Sequence, residues 1–179
     1  MIQLSILKPV ALLGLIGLVL ACTKNEPATI SMPVIAFKSI RKLTLAANPA
    51  KLKRDSVITT ISFSDGDGDL GENLRDSARL KSVFDNQLWG NYQIRAFRLS
   101  GNTFEEIIPS PAPKLFVDLG APAKSSVLPE VGALDYSQVF PYGSTTKRVP
   151  VKFQIRMRDR NLNESNVVET DTVWLSANP

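Results

Sequence analysis

Val149-Pro-Val-Lys-Phe-Gln-Ile-Arg-Met157 places Val149, Val151, Phe153, Ile155 and Met157 on one side of an extended chain. Lys152, Gln154, Arg156 and, one step further, Arg158 fall on the other. A period of two is the mark of a half-buried β-strand, because successive side chains of a strand point to opposite faces. Residues 56–63 repeat the pattern, with Val57, Thr59, Ile61 and Phe63 on one face. Working outward, strands are expected over residues 34–45, 92–99, 103–108 and 167–175, with weaker candidates at 114–119 and 133–140. Ser100-Gly101-Asn102 joins two of them as a hairpin turn, since Gly and Asn tolerate positive φ. Only residues 73–85 carry apolar spacing suited to a short helix, through Leu74, Ala78, Leu80 and Val83. Five prolines between 109 and 129 make that stretch an irregular crossing. The expected fold is all-β, an antiparallel β-sandwich with at most one short helix.

Composition removes whole classes of chemistry. The 179 residues include no histidine and one cysteine. Ser-His-Asp and Cys-His catalysis and histidine-ligated zinc, heme or iron are therefore out of reach. So are an internal disulfide, a cysteine-rich zinc site and a four-cysteine iron–sulfur cluster. Ser144-Thr145-Thr146 has no base to activate a hydroxyl.

The segment with chemistry in it is Asp65-Gly66-Asp67-Gly68-Asp69, three acids in five residues of a chain whose formal net charge is +4. Carboxylates so close repel one another, and the glycines let the backbone turn them inward. Calcium wants such a set, about 6–8 oxygens at 2.3–2.6 Å. Phase adds a second argument. Asp65 continues the inward series of residues 57–63, and Asp159 continues that of residues 151–157. Each acid stands at the exit of a core strand, and in an Ig-like topology the loops after the second and sixth strands share one end. Asp65, Asp67, Asp69 and Asp159, with Glu72 and with Asn161 or Asn163, are the expected Ca2+ ligands. A solvated Asp-Gly turn and a catalytic acid pair are the competing readings, and the charge density favours the ion.

The N-terminus reads as an address. Residues 10–21 are an uncharged apolar run of 12, matching a signal-peptide core and too short to span a bilayer. The run ends in Val19-Leu20-Ala21-Cys22, which resembles a bacterial lipobox with Leu20 at a position usually held by a smaller residue. The resemblance implies lipidation of Cys22, removal of residues 1–21, a tether over 22–33 and a domain over 34–179. Thr23-Lys24-Asn25-Glu26 resembles the surface-export signal of Bacteroidota lipoproteins, implying an outer-membrane anchor facing the cell exterior. Residues 61–71 resemble a recurring element of such lipoproteins, and residues 153–173 the last hairpin of a bacterial Ig-like or fibronectin-III-like domain, a resemblance that implies an antiparallel Ig-like β-sandwich.

The functional expectation is a non-catalytic binding or structural module with a Ca2+-stabilised loop and an unidentified protein or glycan partner. The alternative is a carbohydrate-binding accessory of a glycan-uptake system, which would draw on Trp89, Tyr92, Tyr136, Phe140 or Tyr142, although large aromatics mostly serve burial. The basic stripe Lys152, Arg156 and Arg158, with Lys147, Arg148 and Arg160 nearby, reads as a solvated face. Export makes nucleic acid an unsuitable partner.

Overall fold

The computed structural model describes residues 32–108, 113–119, 130–141 and 147–176. The leader, Cys22, most of the tether and Tyr142 lie outside the described residues. Two antiparallel sheets face each other as a β-sandwich. In chain order the elements are β1 (Val34–Leu45), β2 (Arg54–Asp65), α1 (Ser77–Phe84), β3 (Tyr92–Ser100), β4 (Thr103–Ile107), β5 (Glu130–Pro141), β6 (Arg148–Met157), β7 (Val168–Glu169) and β8 (Val173–Ser176). One sheet has the order β1-β2-β5 and the other β4-β3-β6-β7, with β8 also on β6.

The period-two strands build the core as expected. Val57, Thr59, Ile61 and Phe63 of β2 and Val151, Phe153, Ile155 and Met157 of β6 are all buried. Val57 packs with Val151, Phe153 and Leu175, whereas Ile61 and Phe63 pack with Ile155, Met157, Tyr92 and Leu70. This pairing makes β2 and β6 run the same way on opposite sheets, so both leave the core at the same pole.

Three elements depart from the sequence expectation. The weak candidate at 133–140 is a full 12-residue strand, β5, because all of its residues pair with β2. Residues 167–175 form two short strands instead of one. Thr170 interrupts them by donating its N–H to the Phe153 carbonyl (2.9 Å) while its Oγ1 accepts from the Phe153 N–H (3.0 Å). Residues 114–119 supply only a single bridge, Leu115 to Tyr92. The helix occupies the second half of the expected 73–85. Asp76 caps it, its Oδ1 accepting from the Arg79 N–H at 3.0 Å, and Lys114 donates to the Phe84 and Asp85 carbonyls at the other end. Eight residues are too few to hold a helix alone, so buried Phe84, edge-on to Phe116 at 5.1 Å, fixes it to the sandwich.

The basic stripe lies on the solvated face except for Arg158. Lys152 pairs with Glu169 and Arg156 with Glu164. Arg158 is buried, donating to the carbonyls of Gly90 and Trp89 and to the Gln87 Oε1. The strand alternation ends at Met157, which is why Arg158 and Asp159 are both turned inward.

The bend before β3 depends on a close approach: a Cβ on Gly90 would lie 2.0 Å from the Leu115 carbonyl oxygen. Gly90→Ala is therefore expected to cost at least about 2 kcal/mol, read as a lowered urea midpoint with unchanged m-value.

Candidate metal centre

The two strand exits place Asp65 and Asp159 where the next core side chains would be, and both are 0% exposed. From Asp65 the chain turns through residues 66–69, with Gly68 at φ 68°, a left-handed conformation that suits glycine. Leu70, 2% exposed, then drops into the core cluster and bridges to Asp159 in antiparallel fashion. An apolar side chain thus ends the acidic turn and pins it against the exit of β6. The Arg160 N–H donates to the Asp69 carbonyl at 3.2 Å, a second clasp between the loops.

The opposing loop is organised around Asp159. Its Oδ1 accepts from the backbone N–H groups of Asn161 and Asn163, both at 2.8 Å, and its Oδ2 from the Asn163 side-chain amide at 2.8 Å. Three donors fix the carboxylate and leave one lone pair of Oδ2 unused by them. The Asp159 carbonyl accepts from the Leu162 N–H, and Leu162 sits at φ 67°. A side chain with a Cβ in this region costs on the order of 1–2 kcal/mol, strain held by the surrounding turn.

Asp65, Asp67, Asp69 and Asp159 each present one carboxylate oxygen, and these four atoms lie within 4.8 Å of one another. Asp65 Oδ2 accepts from the Asp69 N–H at 2.9 Å, whereas the Oδ1 atoms of Asp65, Asp67 and Asp69 are buried without a hydrogen-bond partner. Each ionised pair at such separations repels by at least about 3.5 kcal/mol at an effective dielectric of about 20. Buried acceptors are normally satisfied, so three orphaned oxygens within one four-acid cluster ask for a cation or protons. An all-oxygen carboxylate set is that of a hard cation.

The other two expected ligands take different parts. Glu72 is buried, but both of its oxygens accept from Arg79, Nε to Oε2 at 3.1 Å and Nη2 to Oε1 at 3.0 Å. Asn161 lies at the site as a donor, its Nδ2 2.7 Å from Asp69 Oδ2. Arg79 escaped the sequence reading. Besides gripping Glu72 it donates to the Arg160 carbonyl at 2.8 Å, and Arg160 Nε donates to the Gly71 carbonyl at 3.1 Å. Helix α1 thereby ties the exit of the acidic turn to the Asp159 loop. Nothing in the spacing of Glu72 and Arg79 announces this, since they lie on a loop and a helix.

The chain matches no protein-family model, no curated protein and no solved structure.

Two outcomes follow for the ion-free protein. Burial, then the charges of Asp159, Asp67 and Asp65, pushes the Asp69 carboxyl from 3.8 up to about 7. Burial and then Asp67 raise Asp65 as well. The native protein then holds protons that the unfolded chain has released, so stability falls as pH rises between about 4 and 7. Glu106 and Glu169, held below 4.5 by Arg95 and Lys152, act in the opposite sense and only at lower pH. Melting in EDTA should show this decline, flattened in Asp69→Asn. Separately, Arg79→Leu should lose about 3 kcal/mol by stranding the Glu72 charge, and a second change, Glu72→Leu, should restore part of it.

Proposed function

We propose that the protein is a non-catalytic binding or structural module whose Asp65, Asp67, Asp69 and Asp159 bind one Ca2+ that cross-links two loops at one pole of the sandwich. We further propose that it is a Bacteroidota-type surface lipoprotein, anchored in the outer membrane through lipidated Cys22 and facing the cell exterior. The observation that carries the metal reading is a cluster of four carboxylates, each with one oxygen within 4.8 Å of the others, in which three buried oxygens have no hydrogen-bond partner. Oxygens on opposite sides of a calcium ion stand about 4.6–5.2 Å apart, twice the usual ligand distance, so oxygens separated by no more than 4.8 Å can share one such ion. The orphaned oxygens are buried away from bulk water.

The same geometry speaks for a structural role. The carboxylates of a glycosidase flank a substrate and stand roughly 5–9.5 Å apart. Here four acids are turned onto one another, and their loops are already joined by the Leu70–Asp159 bridge. The glycan-binding alternative draws less support. Trp89 is 7% exposed with the guanidiniums of Arg156 and Arg158 stacked on it at 4.5 and 4.1 Å, and Tyr92 and Tyr136 pack ring to ring at 4.6 Å.

Adding Ca2+ at a hundredfold excess over its Kd should stabilise the protein by about 2.7 kcal/mol and raise its melting midpoint, and EDTA should reverse the effect. Asp67→Asn should abolish the response while leaving the fold intact. An unchanged midpoint for the natural chain would refute the metal reading. The anchor is tested apart from it: Cys22→Ala should move the protein from the membrane fraction to the soluble fraction.

A further inference from the structure

The first strand enters the sandwich at the pole that carries the four aspartates. Val34 pairs with Ser64 and Ile35 with Phe63, so the start of β1 lies beside the point where β2 runs into Asp65. Among the described residues β1 is an edge strand, with β2 as its one strand neighbour in the sheet. The side of Ile35 turned away from β2 is held by one side chain. Asn166 accepts from the Ile35 N–H through Oδ1 at 2.8 Å and donates through Nδ2 to the Ile35 carbonyl at 2.9 Å. An amide side chain thus reproduces both hydrogen bonds of a neighbouring strand.

Asn166 belongs to the same connection as Asp159. Between them the chain is fastened to the end of β6 twice: Arg158 bridges to Glu164, and Ser165 gives its N–H to the Met157 carbonyl (2.9 Å) while its Oγ accepts from the Met157 N–H (3.0 Å). The position of Asn166 is therefore set by a loop whose first residue is a cage carboxylate. Ile35, 2% exposed, shares its core cluster with Leu70 and Met157, one from each of the two loops' roots.

We propose that Asn166 is a strap closed on the entry strand by ion binding. This rests on the calcium reading above. With the cage filled, residues 159–166 are held in place and Asn166 grips Ile35. With the cage empty, repulsion among the four carboxylates spreads the loops and loosens the grip. The ion then governs how firmly the domain holds the chain that leads into it, at the residue where a pull on the N-terminal segment would first arrive.

Amide exchange on the full chain, followed residue by residue by NMR with calcium binding measured in parallel by calorimetry, tests this. In the natural chain Ca2+ should slow exchange at the Ile35 N–H at least tenfold more than at Leu43, at the far end of the same strand. In Asn166→Ala, Ca2+ should still bind but leave Ile35 exchanging fast. If that variant does not fold, Asn166→Asp keeps the acceptor for the Ile35 N–H and loses the donor, and should show a smaller Ca2+ effect. Calcium binding with no selective slowing at Ile35, or equal slowing in a variant that lacks the strap, overturns the strap and leaves the metal site standing. No calcium binding at all overturns both.

Discussion

The structure hangs on two strands that carry acids into core-facing positions. β2 and β6 run in the same direction on opposite sheets, and an inward aspartate continues the core-facing series of each, Val57, Thr59, Ile61 and Phe63 in β2 and Val151, Phe153, Ile155 and Met157 in β6. Carboxylates at these places are desolvated by the same packing that buries Phe63 and Met157. Their charge must then be met locally, by protons, donors or a cation, because water is excluded. The acidic turn after β2 and the asparagine-rich turn after β6 are two halves of one answer to that constraint. One adds carboxylates, and the other adds donors that fix Asp159 in place.

Around this pole the polar side chains are committed to one another. The Glu72–Arg79 pair and the Arg160 contacts bind helix α1 and both loops into one unit. Breaking such a buried pair costs more than its presence contributes, because one charge is left stranded. Arg158 shows the same economy without a carboxylate. Burial holds its guanidinium below the usual arginine range, and three oxygens and the faces of Trp89 and Phe84 surround it. On the outer face of the second sheet, Lys152 and Arg156 are met by Glu169 and Glu164. A run of cations in the sequence is thus no basic patch once strand pairing has set acids beside it.

Much of this was legible in the order of residues. Alternation in residues 57–63 and 151–157 gave the sandwich, the direction of each face and the inward phase of Asp65 and Asp159. Phase can be read from sequence because a strand repeats every two residues regardless of what it packs against. The spacing Asp-Gly-Asp-Gly-Asp likewise marked the site. Where alternation stops, legibility stops: it placed Arg158 outside and took residues 167–175 for one strand, since neither the end of β6 nor the Thr170 interruption leaves a mark on the pattern.

What the sequence determined by itself is the all-β class, the core faces and the clustering of acids that cannot stay unscreened together. What only the tertiary structure decided is partnership: that Asp159 meets the acidic turn, that Glu72 turns to Arg79, and that Asn161 donates to Asp69. Those outcomes depend on which loops the two sheets bring within about 3 Å of each other, the reach of a hydrogen bond. That distance is set by strand order and register across the whole chain, and no local spacing encodes it.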